Sequence, residues 1–149
     1  INAVDYKTFA VNGFSLEAVY KELQKREEWG QCSCHFDATT DNNPGSKASQ
    51  VNITLDITIL LPEWNGLDLA SPTEQREWNR MMTALRAHEE HHAAIGRKWA
   101  PLFQTRLLGK LKSKIAAEHK KILADFMKEV KQYDDDTKHG QTEGVTLHW

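Results

Sequence analysis

The sequence is short of apolar runs, of excess charge and of cysteine. No apolar stretch approaches the roughly 18 residues that a membrane-spanning helix needs, so a membrane span is excluded. A net charge of −2 gives a nucleic acid or an anionic membrane little to bind, so neither is predicted as a partner. What remains, 40% hydrophobic and 27% charged residues in a chain of 149, is typical of a globular protein with one core.

The two cysteines, Cys32 and Cys34, do not reveal the redox compartment. On a strand, residues two apart share a face, but their Cα atoms lie roughly 6.5–7 Å apart, at or beyond the limit of disulfide geometry. We therefore expect either buried thiols or a bridge that bends the strand, and C-x-C alone is a poor zinc motif. The chain begins at Ile1 and shows no signal peptide, which fits an exported, processed protein about as well as a trimmed sequence.

Residue periodicity predicts three strands and three helices in a single domain spanning residues 1–149. Strict alternation of apolar and polar residues marks two half-buried strands, and helical spacing of apolar residues marks the helices. The predicted elements are, in chain order, a strand at residues 4–11, a helix capped by Ser15, strands at residues 32–39 and 51–60, a helix that begins at Ser71, and a helix with an apolar stripe from Ile115 to Tyr133.

Prolines and a capping motif mark the predicted ends of these elements. Pro62 should end the strand at residues 51–60. Ser71 and Glu74 have the spacing of a capping box at the start of the next helix. Pro101 should kink or end that helix, because proline removes a helical hydrogen bond.

The segment at residues 85–99, LRAHEEHHAAIGRKW, holds three histidines and two glutamates within five positions. Apolar residues at spacings of three, four and seven form one stripe, and His88 and His92 lie on it one turn apart. Two imidazoles so placed can bind a single zinc ion. Glu89 lies beside them, which gives the H-E-x-x-H pattern of metalloproteases. The other glutamate and histidine of the segment point further away.

The alternative to a metal site is a solvated polar turn of the helix. In a chain with seven histidines, a chance H-E-x-x-H arises at about the few-per-cent level, and more often on a solvated face. Here two imidazoles interrupt an apolar stripe, where they would cost stability without a partner. The pattern therefore favours a zinc site, in which Glu89 acts as general base toward a metal-activated water that attacks a carbonyl.

The residues leave the third protein ligand open, although a catalytic zinc usually has three. His139 lies in a polar segment beside Gly140, where the backbone can approach closely. His119 lies on the inward stripe of the last helix, where a hydrogen-bonded core histidine is the better interpretation. The weaker candidates are His35 on the polar face of its strand, His148 near the end of the chain, and Glu118 off the stripe.

Four features of the chain match one bacterial family. They are the strand ending in LLPEW, the Trp78 helix leading into HEEHH, the long helix that follows, and the closing YDDDTKHG at residues 133–140, which fits the signature Y-D-x-x-T-x-H-G. Through them most of the chain resembles a domain-of-unknown-function family grouped with the secreted zinc-dependent proteases of the zincin type. H-E-x-x-H alone is moderately specific, and the closing signature makes the resemblance much stronger.

The resemblance implies a Zn²⁺-dependent peptidase that is exported from the cell, secreted or periplasmic, and that acts on a peptide or protein substrate. The activity of that family is itself inferred from the motif. The implied metal ligands are His88, His92 and His139, with Glu89 as the catalytic base.

Three further residues match the closing signature. Asp134 and Thr137 are implied to support the metal site through hydrogen bonds. We expect the phenol of Tyr133 to donate to the oxyanion during catalysis, although Tyr133 equally fits the apolar end of its helix. Asp134, Asp135 and Asp136 could each accept a hydrogen bond from a ligating imidazole, but for at least two of the three a solvated acidic loop is the better interpretation.

The predicted fold is α+β, with a small, largely antiparallel sheet packed on the motif helix and a second long helix, as in zincins. In that fold an edge strand borders the cleft and can pair with an extended substrate. The strand at residues 51–60 is the best candidate, though its alternation also suits a central strand. The main alternative function is a catalytically silent metal-binding or interaction domain. A di-iron bundle needs E-x-x-H on two helices, and only Glu89 and His92 supply one.

Overall fold

The computed structural model describes residues 3–41 and 45–149. Three strands and three helices are present in this part of the chain, as the periodicity predicts. They are β1 (Asp5–Val11), α1 (Leu16–Gln24), β2 (Gln31–Thr40), β3 (Val51–Trp64), α2 (Pro72–Leu107) and α3 (Ile115–Thr137), with short 3₁₀ turns at Leu67–Leu69, Lys112–Lys114 and Gln141–Glu143. The predicted α+β class is confirmed.

The sheet has the order β1-β3-β2, so β3 is its central strand. β3 pairs in parallel with β1 and antiparallel with β2, which makes the sheet mixed rather than largely antiparallel. The expectation that residues 51–60 form an edge strand is wrong. β3 lies between two neighbouring strands, and its apolar side chains alternate toward the core. The edge strand that lies against α3 is β2.

The strand end expected at Pro62 and the helix end expected at Pro101 both need correction. β3 continues through Pro62 to Trp64. The pairing with β2 stops at Leu60, so at Pro62 the strand has only β1 as a neighbour and the missing N–H of proline breaks no pairing with β2. α2 continues past Pro101 to Leu107, because Phe103 and Leu107 are fully buried and their packing offsets the lost helical hydrogen bond.

The start of α2 is fixed by the predicted capping box. Ser71 Oγ accepts from the backbone N–H of Glu74, and the Glu74 carboxylate accepts from the backbone N–H of Ser71. Glu74 also accepts from the backbone N–H of Leu16 at 2.9 Å, which ties α1 to α2. Ser15 caps α1 as predicted, accepting from Ala18.

α2 packs closely on the sheet beneath the histidine motif. A Cβ built on Gly96 would lie 2.6 Å from Cys34 Sγ, so glycine is what allows the helix to approach β2 here. Cys32 and Cys34 are half-buried free thiols on this inner face of β2. Farther along, Trp78 of α2 packs edge-on against Trp64 in the core, with ring centroids 5.5 Å apart.

None of the helices in the described ranges, 3–41 and 45–149, is long and apolar enough to cross a membrane.

Candidate metal centre

The motif of α2 faces the interior as predicted. His88, Glu89 and His92 are 3%, 4% and 6% exposed, whereas Glu90 and His91 are exposed. The two inward imidazoles lie one helical turn apart, with ring centroids 4.9 Å apart. Burial lowers the pKa of His92, which favours the neutral imidazole, the form that binds a metal ion.

α3 brings Asp134 to both imidazoles. Asp134 Oδ1 lies 3.0 Å from His88 Nε2 and 2.8 Å from His92 Nε2. The predicted polar loop is wrong at this point, because α3 continues to Thr137 and Asp134 is a helical residue. The apolar stripe of α3, which includes Ile122 and Phe126, packs against the core. This packing sets the rotation of α3 and so directs the carboxylate of Asp134 toward α2.

His88 is held from its other side by Glu143. Glu143 Oε1 lies 2.8 Å from His88 Nδ1. Tyr133 Oη donates to the same carboxylate at 2.9 and 2.7 Å, and its ring stacks on His88. Partial burial raises the pKa of Glu143, but hydrogen bonds from His88 and Tyr133 outweigh it and lower the pKa. An ionised carboxylate only accepts, so this contact favours the His88 tautomer with its proton on Nδ1, which leaves Nε2 for a metal ion.

The turn after α3 fits closely around His88. Gly140 has φ +89°, and a Cβ there would lie 2.6 Å from Val145 Cγ2 and 3.2 Å from His88 Cγ. Thr137, 8% exposed, donates to Tyr133 O at 2.8 Å and accepts from Gly140 N at 3.1 Å. The role of Thr137 in supporting the metal site stays a prediction.

His139 lies close to Asp134 and Glu28. Its Nδ1 is 4.0 Å from Asp134 Oδ2 and 3.6 Å from Glu28 Oε1, and its side chain is 48% exposed. The group of ligand atoms that includes both motif histidines is completed by Asp134, not by His139. His139 as a zinc ligand therefore stays a prediction.

Glu89 is 4% exposed, and its carboxylate forms no hydrogen bond or ion pair with any residue in the ranges 3–41 and 45–149. Burial, together with the nearby carboxylates of Glu28 and Asp134, raises the pKa of Glu89 from 4.5 to about 8. Glu89 lines an open cavity of about 560 Å³ together with His92, Asp134 and His139.

The donor set fits a zinc ion. Two imidazole Nε2 atoms and one carboxylate oxygen converge, and these are ordinary zinc ligands. A carboxylate on the outer nitrogen of a ligating histidine, as Glu143 provides for His88, is the usual support for such a ligand. His92 Nδ1 is buried and has no hydrogen-bond partner among the described residues, so His92 has no matching support.

The weaker candidates for the third ligand lie elsewhere. His119 packs on the Phe103 ring, with centroids 5.0 Å apart. His148 donates its backbone N–H to Glu77, and Glu118 forms an ion pair with Lys121. His35 lines an open cavity beside His119, away from the motif.

Sequence reasoning missed two residues of the site. Glu143 follows the closing signature by three positions, in a segment predicted to be solvated, and Glu28 follows α1. Neither has a spacing that links it to the histidines, because tertiary packing alone brings the turn at Gln141–Glu143 and the end of α1 to α2.

The fold and the site define an α+β domain with a candidate metal centre between two long helices. The chain belongs to a family described as "Bacterial protein of unknown function (DUF922)", which matches residues 6–140. The expected likeness to a bacterial family of unknown function is thereby confirmed. No curated protein and no solved structure matches the chain.

Proposed function

We propose that the protein is a zinc-dependent hydrolase that cleaves peptide bonds, with His88, His92 and Asp134 as metal ligands and Glu89 as general base. The observation that carries the proposal is the position of the Glu89 carboxylate. Glu89 is only 4% exposed, and its carboxylate has no hydrogen bond or ion pair in the described part of the chain. It lines the open cavity on the helical turn between the two convergent imidazoles. A structural glutamate would be paired or exposed.

The proposed chemistry divides between the metal and the chain. When bound, zinc supplies Lewis-acid activation of a water molecule and of the substrate carbonyl. Glu89 takes the proton of the attacking water and returns it to the leaving amine. Glu143 keeps His88 in one tautomer, with Nε2 directed inward. The phenol of Tyr133 is bound to Glu143, so an oxyanion role for it stays a prediction.

The shape of the cleft supports an extended peptide as the substrate. β2 pairs with β3 on one side, and no strand in the described ranges pairs with its other edge. Along that edge the cavity at the metal centre adjoins a second one of about 250 Å³, and the two share five lining residues, Gln31, Cys32, His92, Met127 and Val130. A peptide added to the free edge would run past Glu89 toward α3.

The test is peptide hydrolysis by zinc-loaded protein, measured with a library of quenched fluorescent peptides. We expect Glu89→Gln to retain zinc and to lose about 10²–10⁴-fold in kcat, because only the base is removed. Glu90→Gln is the matched control. It removes the same charge one residue away, from an exposed side chain bound to Tyr6 and Arg86, and should keep full activity.

Two outcomes would overturn the proposal. One is a zinc-loaded parent protein that cleaves no peptide in the library, which would favour a silent metal-binding or interaction domain. The other is a Glu89→Gln variant that is as active as the parent. Export from the cell is tested separately, by locating the full-length protein in fractionated cells.

A further inference from the structure

A second group of ligand atoms lies directly against the first. Glu28, Asp134 and His139 each offer one such atom, and all three atoms lie within 4.8 Å of one another. Asp134 belongs to both groups. Its Oδ1 contacts His88 and His92, while its Oδ2 lies 4.0 Å from His139 Nδ1.

We propose that the protein binds a second divalent transition-metal ion, held by Glu28, Asp134 and His139, with the Asp134 carboxylate bridging the two ions. The inference rests on the proposed zinc site of His88 and His92. It assigns His139 to the second ion.

The charges around this cavity call for a cation. Glu89, 4% exposed, lines it beside Glu28 and Asp134 and has no hydrogen bond or ion pair within residues 3–41 and 45–149. The nearest lysine on the α3 side, Lys131, is 2.6 Å from Asp135 and so is already paired. Acidic residues therefore outnumber basic ones in the lining of this cavity, which has five carboxylates (Glu27, Glu28, Glu89, Asp134 and Asp135) against two imidazoles (His92 and His139) and the paired Lys131.

The geometry favours two ions over one ion with four ligands. The contact of His139 is with Oδ2 of Asp134, whereas His88 and His92 contact Oδ1. A carboxylate that presents one oxygen to each of two ligand groups is the arrangement found in two-metal hydrolases, whose ions lie about 3.5–4 Å apart.

The ligand chemistry indicates which ions would bind. The second site combines two carboxylates with one imidazole and is partly exposed, so water can complete the coordination sphere. Carboxylate and imidazole together suit Zn²⁺ and Mn²⁺. In two-metal sites the pair of ions stabilises the attacking and leaving oxygens together.

Native mass spectrometry of the intact chain with added Zn²⁺ tests the inference by counting bound ions. We expect two ions on the parent and one on Glu28→Gln and on His139→Gln. Glu27→Gln is the matched control, because it removes the same charge from an exposed neighbour that lies outside the ligand group, and it should retain two ions. Thermal melts check that the variants fold. Ions bound elsewhere on the surface add equally to the counts for parent and variant, so the difference in count reports the proposed site.

The possible results separate this inference from the proposed function. A single ion on the parent, lost in His92→Ala but retained in Glu28→Gln and His139→Gln, would overturn the second site and leave the first intact. A single ion lost in His139→Gln would also overturn it, by placing His139 on the first ion. No bound ion at all would overturn both proposals.

Discussion

Glu143 Oε1 lies 2.8 Å from Nδ1 of His88, on the side of the ring opposite to Asp134. This contact joins the turn after α3 to the middle of α2, 55 residues apart in sequence. Because a carboxylate only accepts, the contact favours the His88 tautomer whose Nε2 lone pair is available to a metal ion. The same carboxylate accepts a hydrogen bond from Tyr133, which holds Glu143 in position beside His88.

Glu143→Gln should weaken zinc binding without removing any ligand. The neutral amide is a poorer acceptor for His88 Nδ1–H, so the zinc Kd should rise about 10–100-fold, as is usual when the partner of a ligating histidine is lost. Competition with a fluorescent chelator measures this. Glu129→Gln on the same side of the molecule, where Glu129 binds Lys98, should leave the Kd unchanged. An unchanged Kd in Glu143→Gln would show that the contact does not orient a ligand.

Tyr133→Phe separates a positioning role from an oxyanion role. The variant keeps the ring that stacks on His88 but removes the hydroxyl that donates to Glu143. We expect a modest rise in the zinc Kd, smaller than that for Glu143→Gln, and a kcat within a few-fold of the parent at saturating zinc. A loss of about 100-fold in kcat with zinc retained would instead support donation to the oxyanion.

Gly96 and Cys34 should be energetically coupled. A Cβ at position 96 would lie 2.6 Å from Cys34 Sγ, so Gly96→Ala should cost about 1–3 kcal/mol through overpacking. In a Cys34→Ala background that sulfur is absent, and the better helix propensity of alanine should make the same change neutral or stabilising by up to about 1 kcal/mol. Urea unfolding of the four proteins measures the coupling. An equal cost in both backgrounds would contradict the packing described for α2 on β2.

Asp41 should give the protein a pH-dependent contribution to stability. Desolvation raises its pKa, but hydrogen bonds from Lys112, Gln50 and Ser49 outweigh this and hold the pKa at about 2, below the usual 3.8. Because the folded pKa is depressed, the contribution is complete above pH 3.8 and is lost as the pH falls through about 2. Asp41→Asn should lose this slope in urea-unfolding midpoints measured across that window, whereas Asp37→Asn, exposed on β2, should keep it.

The sequence predicts the elements well because each is specified locally. The alternation in β3 and the capping box at Ser71 depend on neighbours within a few positions, and the structure has both as predicted. The parallel pairing of β1 with β3 and the continuation of α2 past Pro101 depend on packing between distant segments. Periodicity carries no information about either.

The same distinction applies to the candidate site. The inward direction of His88 and His92 follows from helical spacing on one element, and it is confirmed. The closeness of Asp134 to both rings depends on how far α3 extends and on how it packs against α2. Glu143 and Glu28 reach the site only through tertiary contacts, so no motif predicts them.

The most direct measurement is a crystal structure of the protein grown with Zn²⁺, with anomalous maps collected above and below the zinc absorption edge. We expect a strong anomalous peak within about 2.0–2.2 Å of His88 Nε2, His92 Nε2 and an oxygen of Asp134. A map with no peak between α2 and α3, or with a peak that none of these three residues contacts, would contradict it.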